Sequence, residues 1–133
     1  MTRSIPWSRL EKPGVILVAL HSLLVGGLLL FIPDWTLKFA GWPAMDDVFF
    51  IRQSGAFHFV VAVGYLVEYW RCGTINLLII AKSTAVVFLL VLSPWGEAWS
   101  VPFSGITDGL MLVGMLVVWT QARRSIARQT PEL

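Results

Sequence analysis

The chain has 133 residues, of which 56% are hydrophobic and 14% charged, with a mean hydropathy of +0.74. Average soluble domains are about a quarter charged, so this balance excludes an ordinary soluble domain and points to a single-domain membrane protein. The net charge of +2 is no argument for nucleic acid, and the one cysteine, Cys72, excludes an internal disulfide, two-thiol redox chemistry and a zinc cluster within one chain; no metal site is expected.

Residues 1–12 form a short polar lead with Arg3, Arg9 and Lys12. Basic residues followed by an apolar run imitate a signal peptide. However, the run 15–32 is too long for a signal core and ends in Pro33-Asp34 without a small-residue cleavage site, so it reads as a retained first span. Pro13 is expected to open this span, where a missing N–H is harmless, and Pro33 to close it. Segment 34–48 is short and mixed; Trp35, Leu37, Phe39 and Trp42 suggest that it lies at the membrane interface. Asp46 and Asp47 suit the positive N-terminal end of a second helix. A tight turn at 71–74 leads to a third span, and a second interfacial loop with Pro94, Gly96 and Glu97 precedes a fourth. A basic tail with Arg123, Arg124 and Arg128 follows.

The expected fold is therefore all-α, an integral-membrane four-helix bundle with spans at about 14–32, 48–70, 75–92 and 103–119. Two patterns agree with it. With the N-terminus inside, Arg3, Arg9, Lys12, Arg71, Arg123, Arg124 and Arg128 all lie on the inner side, seven of the ten basic residues. Trp7, Trp70 and Trp119 fall at inner ends and Trp35, Trp42, Trp95 and Trp99 at outer ends, as headgroup-level aromatic belts require. Both termini are expected in the cytoplasm. A bacterial inner membrane is the simplest host.

The stretch 49–71 is the most informative. Ser54, His58, Val61, Tyr65 and Glu68 recur every three or four residues and share one helical face. Lipid cannot satisfy that face, so it must look at other helices, a cavity or a cofactor. Other ionisable groups also fall within spans. Arg52 and Asp108 each lie about one turn below the outer surface and can pair; Glu68 lies near the inner end of span two, and Lys82 about two turns from the inner end of span three. These charges read either as structural pairs fixing helix register or as an ion relay, with Lys82 also able to snorkel. His21 and His58 fall at nearly equal depth on antiparallel spans, roughly 12 Å and 15 Å from opposite faces. Matched histidines are what a bis-histidine haem b requires, while a structural or quinone-contacting role asks less of them. Gly105-x-x-x-Gly109 and Ser22-x-x-x-Gly26 permit close helix approach. Ser104, Asp108, Met111 and Met115 form a further stripe, in which methionine is ordinary core filler. No nucleophile stands beside a base and no phosphate loop is present, so an enzyme acting alone is disfavoured unless its substrate is a lipid or quinone.

On these features the chain resembles the DoxX-like group of small four-span membrane proteins. The likeness rests on a proline-closed first span with an aromatic interfacial loop, a glycine-rich second span and a polar-flecked third. Gly55, Gly64 and Arg71 are the matching positions. The resemblance implies a four-helix bundle and an accessory role beside redox enzymes, in some cases quinone-linked; it assigns no catalytic residue. The leading expectation is a non-catalytic accessory or anchor subunit of a larger membrane complex, in contact with lipid and with a membrane-protein partner or its own copies. The alternative is a redox or lipid-processing component in which His21, His58, Tyr65 and Glu68 hold haem, quinone or a lipid headgroup. A small oligomeric transporter is the third reading.

Overall fold

A computed structural model describes residues 7–93, 96 and 98–127. Arg3, Pro94, Trp95, Glu97 and Arg128, which carried part of the topology reading, lie outside these residues. Every regular element among the described residues is helical: α1 Ser8–Phe31, α2 Pro33–Phe39, α3 Phe49–Cys72, α4 Asn76–Val87 continued by a π-helical turn Phe88–Leu92, and α5 Ser100–Ala127.

Local chemistry sets most of the boundaries. Pro33 cannot continue α1 and instead occupies the first turn of α2. The Thr36 hydroxyl fastens this corner by donating to the carbonyls of Leu28 at 2.9 Å and Ile32 at 2.8 Å. At the start of α3 the Asp47 carboxylate accepts the Phe49 N–H at 2.8 Å, one of the donors that a helix start leaves free. Gly73 ends α3 with φ +63°, a left-handed conformation that favours glycine, and its N–H bonds the Tyr69 carbonyl at 3.0 Å.

Two expected boundaries move. Pro13 lies inside α1, which begins at Ser8, and the turn before it carries the buried Glu11. The last helix begins at Ser100 rather than 103 and runs to Ala127 rather than 119.

Helices α1, α3 and α5 are long and apolar enough to cross a membrane; Asn76–Leu92 is apolar but shorter. Helix α1 packs most extensively on α3 and also on α5, α4 packs on α5, and contact between α3 and α4 is slight. Sequence neighbours run antiparallel, so the described ends of the chain and the α3–α4 turn share one end of the bundle. There the Arg123 guanidinium donates to the Gly73 carbonyl at 2.9 Å and lies 4.0 Å over the Trp119 ring. The packed core sits in this same half, built from Val15, Val18, Ala62, Tyr65, Leu78 and Met115 among others. Large apolar side chains such as Leu17, Phe57, Val60, Val91 and Leu110 point outward, the reverse of a soluble protein.

The α1–α3 crossing depends on two glycines. A Cβ on Gly26 would stand 2.8 Å from the Gly55 carbonyl oxygen, and one on Gly55 would stand 2.8 Å from the Gly26 carbonyl oxygen. Gly64 makes room in the same way for Leu77 of α4, and Gly105 for Leu89 and Leu90. The neighbouring Gly27 faces open space. Gly26→Ala is therefore expected to lower stability by about 1–3 kcal/mol. Gly27→Ala is expected to be neutral or to stabilise by up to about 1 kcal/mol through helix propensity. Thermal unfolding of the two variants side by side checks this contrast.

Candidate functional site

The polar face of α3 opens onto a cavity in the half of the bundle away from the packed core. One lobe, about 200 Å³, is lined by Ser22 of α1, by Ser54, His58 and Tyr65 of α3, and by Lys82 and Asp108. A second, about 320 Å³, shares Ser54, His58, Lys82 and Asp108 and adds His21 and Ser104. Helical spacing delivers these groups: Ser54, His58, Val61 and Tyr65 lie one turn apart down α3, and His21, Val25 and Leu29 do so along α1. The exposed rings of Phe57 and Phe88 lie at its margin, where α3 and α4 barely touch, so the cavity opens sideways between these helices.

At its centre the Lys82 ammonium pairs with the Asp108 carboxylate, both residues being buried. The expected Arg52–Asp108 pair does not form. Because α5 starts three residues earlier than expected, Asp108 sits deeper, within reach of the long Lys82 stem. Arg52 stays exposed in the first turn of α3. Lys82 turns inward to its counterion and does not snorkel.

Glu68 is likewise taken up elsewhere. Its Oε1 accepts the Thr74 hydroxyl at 2.6 Å and the Asn76 N–H at 2.8 Å, and its Oε2 accepts the Leu77 N–H at 2.8 Å. This carboxylate satisfies the free N–H groups at the start of α4, where the helix dipole favours an anion. It is neither the partner of Lys82 nor part of the cavity.

The two histidines line the same lobe, and their ring nitrogens are placed differently. His58 Nδ1 lies 2.8 Å from the Ser54 carbonyl oxygen and donates to it, so that when the ring is neutral Nε2 is the acceptor. His21 Nδ1 is buried without a hydrogen-bond partner, an arrangement that costs about 1–3 kcal/mol unless something else occupies it. Lys82, Asp108 and His58 all lie close enough to His21 to act on its charge. Tyr65 completes the floor, its hydroxyl beside Ser22. Together these groups supply an ammonium, hydroxyls and a ring N–H as donors, and a carboxylate and a ring nitrogen as acceptors. No cluster of three metal-ligating side chains occurs among the described residues.

Sequence reasoning missed Glu11, buried at 8% exposure with Oε1 unpartnered and Tyr69 beside it. Its position in what read as a polar lead hid it. The +4, +4, +3 spacing from Glu11 through Val15 and Ala19 to Ser22, on one face of α1, was the available signal.

No protein-family profile, curated protein or solved structure matches this chain.

Removing one member of the buried pair strands the other. Lys82→Met is expected to destabilise the protein by about 3–5 kcal/mol, whereas Lys82→Met with Asp108→Leu recovers most of that loss. Chemical or thermal unfolding of the single and double variants in one detergent measures both values.

Proposed function

We propose that this chain is a four-span inner-membrane protein with cytoplasmic termini. It serves as a non-catalytic accessory subunit of a redox complex, and its cavity holds the head of a quinone-class molecule. The observation that carries this reading is the pairing of opposite hydrogen-bonding needs in one half-polar, side-opening cavity. A quinone presents carbonyl acceptors, which Lys82, Tyr65 and the serine hydroxyls can meet. A quinol presents hydroxyl donors, which Asp108 and His58 Nε2 can meet. The gap between α3 and α4 gives an apolar tail a path into lipid, and about 320 Å³ falls at the lower end of the ligand-pocket range. The DoxX-like features at Gly55, Gly64 and Arg71 support the same placement beside redox enzymes.

The other readings fit the geometry less well. Bis-histidine haem has two convergent imidazoles in its favour, but the larger lobe is small for a porphyrin and the Lys82–Asp108 pair stands in the same space. Transport would need a continuous path. The dry cluster of Val15, Val18, Ala62, Leu78 and Met115 closes the bundle between the cavity and the chain ends.

Native mass spectrometry from nanodiscs made directly from the host membrane tests the reading. The expected result is a companion protein together with a quinone-sized adduct. The adduct is expected to fall at least tenfold in the Lys82→Met/Asp108→Leu variant, which keeps the bundle but removes the polar centre. Equal retention by that variant, or a bare chain without an adduct, overturns the quinone site.

A further inference from the structure

A further cavity, about 520 Å³, lies away from the central site, at the end of the bundle opposite the chain ends. It is bounded by Asp34, Leu37 and Lys38 of α2, by Trp42, and by segment 43–45 of the following loop. Its helical wall is tied back at the end of α2. Gly41 turns back at φ +87°, with the Trp42 N–H on the Leu37 carbonyl at 2.9 Å and the Gly41 N–H on the Lys38 carbonyl at 3.3 Å. On another side of α2, Trp35 stacks on Phe39 at 5.2 Å, and Phe39 meets Trp99 edge-on at 5.7 Å. Trp99 in turn donates from Nε1 to the Phe39 carbonyl at 3.0 Å. Trp35 and Trp99 at this end are of the residue type that is enriched at the headgroup layer.

Within this frame Asp34 and Lys38 stand one helical turn apart and line the same cavity, yet they do not pair with each other. An exposed anionic and an exposed cationic group one helical turn apart, with the Trp42 indole lining the same cavity, complement a zwitterion. Phe31 and Ile32, exposed where α1 meets α2 and next in sequence to this cavity's helix, give acyl chains an apolar surface near that headgroup.

We propose that this cavity binds the phosphoethanolamine headgroup of a phospholipid, with Lys38 on the phosphate and Asp34 on the primary ammonium. The assignment follows from donor chemistry. A primary ammonium can hydrogen-bond Asp34 as well as pair with its charge, whereas a choline head has no N–H and meets Asp34 by charge alone. A phosphoglycerol head has no cation at all, and Asp34 repels its charge.

Native mass spectrometry of the full chain from nanodiscs holding equal amounts of ethanolamine, choline and glycerol phospholipids tests the proposal on the wild type alone. One ethanolamine lipid is expected to be retained over the glycerol lipid by about fivefold, the ratio that about 1 kcal/mol produces. Asp34→Asn is expected to bring that ratio close to one. Lys38→Gln is expected to weaken retention of all three lipids. Equal retention of the three by the wild type, preference for the glycerol lipid, or an unchanged ratio in Asp34→Asn overturns it.

Discussion

A charge withdrawn from water into a helix bundle is tolerated only beside its opposite, and the Lys82–Asp108 pair shows what this requires. Removing either member would leave several kcal/mol of uncompensated burial, so α4 and α5 must meet in one register. That register also brings Leu89 and Leu90 over Gly105 and Val86 alongside Gly109. The pair contributes little net stability over an apolar replacement of equal volume.

The cavity follows from an uneven distribution of contact. Helix α1 grips α3 through the reciprocal Gly26–Gly55 approach and reaches α5 where Gly14 admits Met115. Helix α4 is held to α5 by the ion pair and to α3 mainly at its first turn, through Glu68 and the Leu77–Gly64 contact. Away from that turn nothing draws α3 and α4 together. The half of the bundle near the chain ends packs dry, and the other half stays open on a polar wall. One carboxylate closing one turn thus leaves the Ser54–His58–Tyr65 face available to a ligand.

The two ends of the bundle are finished differently. Near the chain ends, Arg123 spans the Trp119 ring and the Gly73 carbonyl, and Arg9, Lys12, Arg71 and Arg124 belong to the same end of the bundle. At the opposite end, aromatic stacking and the Thr36 corner seat a short helix across the bundle, with Asp34, Asp46 and Asp47 on that side. The basic end suits an anionic membrane surface. The aromatic end suits the headgroup layer.

The sequence by itself determined the all-helical class, the apolar segments and the facing of α3, because hydropathy and a 3.6-residue period are local properties. It also determined that Ser22, Gly26 and Gly105 lie at helix contacts, since small residues at fixed spacing have few other uses in apolar helices. It placed His21 and His58 at one depth from rise per residue alone. Partner choice was not local. Whether Asp108 meets Arg52 or Lys82 depends on where α5 starts and how far a lysine stem reaches, and a shift of three residues at Ser100 reversed the answer. Glu68 shares a face with His58 in the sequence pattern. Only the tertiary structure decided that it turns to the unsatisfied N–H groups of α4, because those groups arrive from across a turn that periodicity does not describe.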